Sequence, residues 1–316
     1  MTGDHRVAIW TTKGDTTADR VANEVTRMGG DVVRLNTDGY GNKYELGWDS
    51  EQGGRILADG RWSHVAEIGA VYNRRPSVAE VPLTDRDFGV HESWYFARSL
   101  LLESSAKWLN HPAAVDVAEN KLRQLRVAKE AGFMVPDSVL TSDPAEAARF
   151  CANRGVVCKP AFAGIVGGAK QKRVVYAWRV PERQQSLGFE SIRLSPTFLQ
   201  EEVVKSADIR LTVVGKSLSC VKIVSPAGVL DWRQEVTGTR LKYDRVVAPK
   251  EIREAAHKLM AALNISFGAL DFAVDQHGEW WFLEINPSGQ WEWLDVVAGT
   301  QIATEIAQWL LSMEEK

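Results

Sequence analysis

The sequence feature that most constrains the fold is a pair of alternating segments near the C-terminal end of the chain. The first segment is residues 269–275 (ALDFAVD), and the second is residues 279–287 (EWWFLEINP). Both segments alternate with the period of two that is typical of β-strands. Only residues 276–278 (QHG) separate them. The pattern therefore predicts a β-hairpin.

The two faces of this hairpin differ in chemistry. If the turn has an even number of residues, one face is wholly apolar and belongs in a core. That face consists of Leu270, Phe272, Val274, Trp281, Leu283 and Ile285. The opposite face carries Asp271, Glu284 and Asn286. A two-residue turn places Asp271 directly opposite Glu284, whereas a four-residue turn makes them diagonal neighbours.

Two carboxylates that face each other on a sheet repel, and a cation is the usual compensation. Oxygen ligands of this kind suit Mg²⁺, and Asn286 adds a neutral oxygen. This face is therefore a candidate site for metal ions that carry ATP phosphates. An acidic strand that simply faces solvent explains the same pattern equally well, so both interpretations remain open.

Length and composition limit the class of protein. A chain of 316 residues fits two or three lobes better than one core. A net charge of −3 does not indicate a nucleic-acid partner. No apolar run approaches the length of a membrane span, and no secretory signal opens the chain. The three cysteines are widely spaced, so we expect no disulfide framework and a cytoplasmic location.

The first part of the chain alternates strand and helix patterns. Residues 6–12 predict a buried strand, residues 16–28 a helix and residues 31–36 a second strand. This β-α-β order indicates an open α/β sheet. Two further helices are predicted at residues 88–107 and 296–311.

Two lysines and a glycine-rich segment have the chemistry of a phosphate site. Lys121 lies early on a predicted helix, and Lys159 lies in an apolar strand at residues 156–160. A lysine is usually a solvated surface charge. The apolar neighbours of Lys159 mean that its charge needs a partner, and phosphate oxygens would supply one. Glycines at residues 164–168 would let backbone N–H groups approach phosphates, although a surface loop explains this segment as well.

An adenine-binding segment and two arginines are further candidates. Residues 198–204 (FLQEEVV) form an apolar strand that turns acidic, which can present backbone groups to an adenine edge. Many edge strands have this composition. Asp208 and Arg210 point to one face of a strand, and Arg233 follows in a loop. Arginines suit phosphate or carboxylate recognition, but a structural salt bridge explains either one equally well.

Together these segments resemble the ATP-grasp superfamily, because they occur in its order along nearly the whole chain. The matching segments are residues 120–121 (NK), 157–160 (VCKP), 164–168, 200–203 (QEEV), 208–210 (DIR), 231–233 (DWR), 270–272 (LDF) and 284–287 (EINP). The resemblance implies an α/β (α+β) protein with the ATP-grasp fold. A pre-ATP-grasp α/β domain at residues 1–115 precedes a small central domain at 116–198 and a C-terminal domain at 199–316. The last two sandwich ATP.

The resemblance also implies cofactors and roles for individual residues. The cofactors are ATP and Mg²⁺. The implied nucleotide-binding residues are Lys121, Lys159, Gly167, Gln200, Glu201, Val203 and Asp208. Lys121 and Lys159 would hold the α and β phosphates, and Val203 would contact adenine through its backbone. The implied Mg²⁺ ligands are Asp271, Glu284 and Asn286. The implied catalytic residues, Arg210 and Arg233, would stabilise the transferring phosphoryl group or the acyl phosphate.

Within that superfamily the chain is most similar to the maturases of graspetides, the microviridin-type ribosomal peptides. Residues 71–76 (VYNRRP), 208–215 (DIRLTVVG) and 286–293 (NPSGQWEW) carry this similarity. It implies an enzyme that binds the leader of a precursor peptide and phosphorylates Asp or Glu side chains of its core. The enzyme then links them to Thr, Ser or Lys as ester or amide macrocycles. A homodimer that binds neither nucleic acid nor membrane is also implied.

Two other functions stay open at this point. A ligase that adds free glutamate or a similar amino acid to a peptide or small acceptor would share every residue of the nucleotide site. A nucleotide sensor without catalysis is the third hypothesis. The presence of Asp271, Glu284, Asn286, Lys121 and Lys159 disfavours the sensor, because a protein without catalysis has no need of the full set.

Overall fold

A computed structural model of the chain describes residues 6–38, 44–58, 60–77, 85–161, 164–166, 173–235 and 240–312. Within these ranges no helix has both the length and the apolar character that crossing a membrane requires.

The N-terminal part of the chain forms a parallel sheet with helices and a smaller antiparallel sheet. Its elements are β1 (Arg6–Thr11), α1 (Thr16–Arg27), β2 (Asp31–Asn36), β3 (Tyr44–Asp49), β4 (Gly53–Ala58), β5 (Arg61–His64), β6 (Ile68–Asn73), α2 (Asp85–Leu102) and β7 (Lys107–Leu109). The parallel sheet has the order β2-β1-β6-β7, which confirms the predicted open α/β sheet. The sheet β3-β4-β5 is not predicted, because glycines interrupt its strand pattern.

The central part forms a small antiparallel sheet. Its elements are α3 (Pro112–Ala118), α4 (Lys121–Ala131), β8 (Ser138–Thr141), α5 (Pro144–Cys151), β9 (Val156–Lys159), β10 (Ile165–Val166), β11 (Arg173–Val174), β12 (Trp178–Arg179), α6 (Glu182–Leu187) and β13 (Thr197–Glu201). The sheet order is β12-β9-β13-β8, and β10 pairs separately with β11. Lys159 and Gln200 therefore lie on neighbouring strands of one sheet.

The C-terminal part is built on a larger antiparallel sheet. Its elements are β14 (Lys205–Val214), β15 (Ser217–Val224), β16 (Lys242–Arg245), α7 (Lys250–Leu263), β17 (Phe267–Asp275), β18 (Trp280–Asn286), α8 (Glu292–Val297) and α9 (Ile302–Leu311). The sheet order is β16-β15-β14-β17-β18. One face packs on α4 and α7 in a core that includes Leu259, Leu270 and Phe272. The hairpin with the two carboxylates is thus an edge of this sheet.

Two predicted helices have different bounds in the structure. The predicted helix 88–107 is α2, which ends at Leu102, because the chain turns before β7. The predicted helix 296–311 is two helices, α8 and α9. The break has a local cause, because Gly299 has a φ of 63° and Asp295 accepts hydrogen bonds from the Ile302 and Ala303 amides at the start of α9.

The turn of the β17–β18 hairpin is longer than predicted. Val274 pairs with Trp280, so residues 275–279 connect the strands, and the turn has an odd number of residues. A β-bulge between Asp271 and Phe272 then shifts the register by one residue. Beyond the bulge Asp271 pairs with Glu284, which is the register that a two-residue turn predicts.

Because of the same bulge, the predicted core face of the hairpin is wrong near the turn. Phe282 pairs with Phe272 and is fully buried in the core. The prediction placed Trp281 and Leu283 there instead, and both are only partly buried. Leu283 lines the cleft described below, because the bulge turns it to the other face of the strand.

Asn110 joins the N-terminal part to the large sheet with four hydrogen bonds. Its Nδ2 donates to the carbonyl oxygens of Phe267 and Pro287, at 2.8 and 2.9 Å. Its Oδ1 accepts from the amides of Ser266 and Phe267, at 2.8 and 2.9 Å. The residue is only 2% exposed, so water does not replace these partners.

We expect Asn110→Ala to lower the free energy of unfolding by about 2–5 kcal/mol, because four buried backbone groups lose their partner. Thermal melting followed by circular dichroism measures the effect. The control is Asn23→Ala at an exposed position of α1, which should leave the melting temperature nearly unchanged. Equal melting temperatures for the two variants would show that the Asn110 bonds do not stabilise the fold.

Candidate active site

A cleft of about 410 Å³ lies between the small sheet and the large sheet. Its lining contains most of the predicted site residues: Lys121, Lys159, Gln200, Glu201, Val203, Asp208, Arg233, Asp271, Glu284 and Asn286. Arg210 does not line the cleft, but it contacts Asp271 from the neighbouring strand β14. Gly167 and Gly168 of the glycine-rich segment lie outside the described residues. The structure therefore brings together residues that are up to 165 positions apart in the chain.

The opposed carboxylates each have one cation as a partner. Asp271 on β17 and Glu284 on β18 are paired in register. Lys121 at the start of α4 forms an ion pair with Glu284. Arg210 forms an ion pair with Asp271, and 2.8 Å separates Arg210 Nε from Asp271 Oδ1. Both atoms of this contact are buried, so Arg210 is the charged partner that Asp271 Oδ1 has within the described residues.

The pKa values of the two carboxyls shift in opposite directions. Burial raises the pKa of Asp271, against the effect of the Arg210 charge. Burial acts in the same direction on Glu284, but the charge and the hydrogen bond of Lys121 outweigh it and lower the pKa of Glu284. The negative charge of Glu284 also contributes to the raised pKa of Asp271. A divalent cation between the two would relieve this repulsion.

The ligand atoms at this position fit Mg²⁺. Asp271, Glu284 and Asn286 offer oxygen atoms only, which is the ligand type that Mg²⁺ prefers. Across the described part of the chain, no group of three His, Cys, Asp or Glu residues could hold a metal. Two carboxylates and one amide are therefore an incomplete site. Mg²⁺ suits such a site, because it keeps several waters and binds nucleotide phosphates.

A buried amide fixes the distance between α4 and β18. Gln124 Nε2 donates to the carbonyl oxygens of Ile285 and Ala118, at 2.8 and 2.6 Å. Gln124 Oε1 accepts from the Ile285 amide at 3.2 Å. Lys121 lies one turn earlier on the same helix, and Glu284 directly precedes Ile285. The contact thus holds Lys121 beside Glu284.

Lys159 has a neutral partner. Its Nζ donates to Gln200 Oε1 at 2.6 Å, and within the described residues it forms no ion pair. Burial lowers the pKa of Lys159 to about 8, although the negative charge of Glu284 raises it. The resemblance assigns Gln200 to nucleotide binding, and the structure shows its side chain bonded to Lys159 and to Ser138.

Asp208 lines the cleft with its carboxylate already bonded to a lysine. Lys205 Nζ lies 2.7 Å from each Asp208 carboxylate oxygen and 2.7 Å from the carbonyl oxygen of Leu230. Burial raises the pKa of Asp208 to about 6, against the effect of Lys205. The prediction did not include Lys205. Its spacing of three residues from Asp208 was the only signal in the sequence.

Arg233 is held by two hydrogen bonds from its guanidinium to one carboxylate. Its Nε and Nη2 donate to Asp231 Oδ1 and Oδ2, at 2.9 and 2.6 Å. These bonds raise the pKa of Arg233. Burial alone would raise the pKa of Asp231, but the hydrogen bonds and charge of Arg233 lower it. The prediction placed Asp231 in a matching segment but gave it no role, and the structure shows that it is 7% exposed and lines the cleft.

The segment between β13 and β14 has free backbone groups at its centre. The Glu201 amide donates to the Asp137 carbonyl oxygen at 2.8 Å, and the Glu202 amide donates to the Gly155 carbonyl oxygen at 2.9 Å. Val203 follows directly and has no backbone partner within the described residues. A planar base in the cleft would find its hydrogen-bonding groups here.

Comparisons with solved structures cover almost the whole chain. A ligase from Chryseobacterium gregarium, described as RiPP-associated and ATP-grasp, is 25% identical with a TM-score of 0.87, over 97% of this chain and 96% of that one. Its structure contains ADP and a leader and core peptide. The macrocyclase MdnB from Microcystis aeruginosa MRC is 26% identical with a TM-score of 0.76, over 97% and 99% of the chains.

A third similar structure is the macrocyclase MdnC from Microcystis aeruginosa MRC, bound with the precursor peptide MdnA. It is 24% identical with a TM-score of 0.83, over 97% of this chain and 99% of that one. No protein-family model matches the chain, and no curated protein matches it either. The structural likenesses confirm the predicted ATP-grasp fold and the resemblance to ligases with that fold.

Proposed function

We propose that this chain, as an ATP-grasp ligase, is an ATP-dependent peptide macrocyclase of the graspetide type. It activates Asp or Glu side chains of a leader-bearing precursor peptide and links them to Thr, Ser or Lys. The observation that carries the proposal is the opposed pair of Asp271 and Glu284 in a cleft that also holds Lys121, Lys159 and Arg233. The peptides bound to two of the similar enzymes support a peptide substrate.

The cleft fits ATP and Mg²⁺ through the residues already described. Lys121 and Lys159 bind phosphate oxygens, and Val203 contacts the adenine edge. Asp271 and Glu284 hold Mg²⁺ together with Asn286. When bound, Mg²⁺ supplies positive charge to the phosphate oxygens and orients them. Glu201, Gly167 and Asp208 complete the proposed nucleotide site. Asp208 also orients Lys205.

The reaction has two steps. In the first, an oxygen of the peptide carboxylate attacks the γ-phosphorus of ATP, and the bond to the bridging oxygen of ADP breaks. In the second, the hydroxyl or amine of the acceptor attacks the acyl carbon, loses its proton to solvent, and inorganic phosphate leaves. Arg233 binds the developing negative charge in both steps, and Asp231 keeps its guanidinium in place. Arg210 orients Asp271 and adds positive charge beside it.

A mass measurement tests the proposal. The protein is incubated with ATP, Mg²⁺ and the short peptide encoded beside its gene, and the intact mass of the peptide is measured. We expect the loss of one water for each bond formed, together with ADP. A gain of one amino-acid residue would instead identify the alternative function, a ligase that adds glutamate or a similar amino acid. An unchanged mass without ADP formation would contradict both enzymes and favour a nucleotide sensor.

We further propose that the protein is a cytoplasmic homodimer. The location is supported by the three cysteines, none of which forms a disulfide. The dimer is supported by exposed aromatic side chains on α2, where Phe88 is 62% exposed and Tyr95 is 59% exposed. Light scattering after size-exclusion chromatography measures the molar mass, and a monomer at all concentrations would contradict the proposal.

The proposed domains follow the sheets. We move the first limit from residue 115 to residue 111, because residue 115 lies inside α3 (Pro112–Ala118) and β7 is the last strand of the N-terminal sheet. We move the second limit from residue 198 to residue 201. The reason is that β13 (Thr197–Glu201) pairs with β8 and β9, so the predicted limit falls inside a strand of the small sheet.

A further inference from the structure

Three polar side chains form a hydrogen-bonded chain across neighbouring strands of the small sheet. Lys159 on β9 donates from Nζ to Gln200 Oε1 on β13, at 2.6 Å. Gln200 Nε2 donates to Ser138 Oγ on β8, at 3.0 Å. Ser138 Oγ donates to the carbonyl oxygen of Pro136, at 2.9 Å. The chain therefore runs from the nucleotide cleft to a backbone carbonyl outside it.

The direction of these bonds is fixed by their last member. A carbonyl oxygen only accepts, so the single proton of the Ser138 hydroxyl goes to Pro136. Ser138 Oγ must then accept from Gln200, which can only offer its amide nitrogen. This orients the Gln200 side chain so that its oxygen faces Lys159. With 1% of its surface exposed, Gln200 has no alternative partner in water.

The partner that Lys159 obtains in this way carries no charge. The charged groups around it are Glu284, Lys121, Arg233 and Asp231. Each of these has another partner: Glu284 pairs with Lys121, and Asp231 pairs with Arg233. Among the described residues of the cleft, Lys159 is thus a cation without an ion-pair partner, and a bound anion would neutralise it.

We propose that Gln200 and Ser138 are positioning residues that hold the Lys159 ammonium at the nucleotide cleft and leave its charge for the phosphates. This inference rests on one part of the proposed function, which is that the cleft binds ATP. A glutamate at position 200 would reach the same distance but would neutralise Lys159, so ATP would have to displace it. The amide therefore selects for an external anion.

A pH dependence of ATP binding follows. The pKa of Lys159 is lowered to about 8 by burial, so the free protein loses this charge as pH rises through about 8. ATP binds the protonated form more tightly, because only that form neutralises phosphate charge. The dissociation constant for ATP should therefore increase as the pH rises above about 8.

The test is calorimetric titration of the full-length protein with ATP and Mg²⁺ over a pH range on both sides of about 8. With Gln200→Glu, we expect ATP affinity at neutral pH to fall by about tenfold, the scale of one charge-assisted contact. The pH at which affinity declines should move upward, because a carboxylate stabilises the ammonium. With Gln200→Met, affinity should also fall, but the decline should move to lower pH.

The opposite directions of these two shifts separate positioning from a merely structural role, which would change affinity without moving the pH of the decline. Ser138→Ala should resemble Gln200→Met in weaker form, and it provides the test if Gln200→Met does not fold. The control is Gln52→Glu, which adds the same charge at an exposed turn between β3 and β4. Identical pH profiles for the wild type and for Gln200→Glu, Gln200→Met and Ser138→Ala would overturn the positioning role. If the wild-type protein does not bind ATP at all, the proposed function itself fails.

Discussion

Glu284→Gln should reduce peptide-dependent ADP release by at least about 100-fold, the scale of losing one preorganised charge in a catalytic site. Gln keeps the size of the side chain and one ligand oxygen, but it removes the charge that pairs with Lys121 and that we propose as a ligand of Mg²⁺. Lys121 would then lose its anionic partner on β18, which holds it in the position proposed for phosphate binding. The measurement is coupled ADP release at saturating ATP over a range of Mg²⁺ concentrations.

The matched control for this experiment is Glu279→Gln on the same hairpin. Glu279 is exposed at the turn, and its side chain lies outside the cleft. We expect wild-type turnover and an unchanged melting temperature for this control variant. If Glu284→Gln turned over ATP normally at low Mg²⁺ concentration, the carboxylate pair would not be the metal site.

The opposed carboxylates were predictable as neighbours because they lie on adjacent arms of one hairpin, although their direct pairing also depends on the β-bulge. A period of two determines which side chains share a face, and the two arms of the hairpin are separated by a few residues only. The chemistry of Asp271 and Glu284 could therefore be placed before the fold was known. The lysines were less constrained by the sequence, since their approach to the carboxylates depends on how α4 and the small sheet pack.

The core face of the hairpin near its turn was not predictable from the same pattern. A β-bulge adds one residue without changing the alternation of residue types on either side of it. Leu283 and Phe282 are both apolar, so the sequence gives no sign of which one enters the core. The structure decides this through packing, because the Phe282 ring contacts the rings of both Phe133 and Phe272.

The partners of the site residues were also beyond sequence reasoning. Gln124 bonds to Ile285 across 161 positions, and Gln200 bonds to Ser138 across 62. Neither residue type is unusual in its segment, and a buried amide has no local signature. Asp231 was closer to detection, because a carboxylate two residues before Arg233 is a common arrangement for an ion pair. The sequence does not show that Asp231 is buried, and this burial makes its ion pair with Arg233 rigid.

Arg233→Lys should lower the rate of ADP release at saturating substrates by about 100-fold and leave the dissociation constant for ATP within about twofold of wild type. Arg233 uses two guanidinium nitrogens to bond Asp231 and keeps further donors for the transferring phosphoryl group. A lysine has one nitrogen on a flexible stem, so it cannot bond Asp231 and the phosphoryl group with the same geometry. Its charge remains, which is why ground-state binding of ATP should survive.

The control with the same chemical change is Arg240→Lys, since Arg240 forms an exposed ion pair with Glu235 outside the cleft. Asp231→Asn distinguishes orientation from charge, because it keeps Arg233 but weakens both bonds that fix it. We expect an intermediate rate for this variant, with normal ATP binding. If Arg233→Lys weakened ATP binding and turnover equally, Arg233 would act on the nucleotide in the ground state, and the stabilisation of the transition state would fall to Arg210. Arg210 forms an ion pair with Asp271, which is one of the proposed metal ligands.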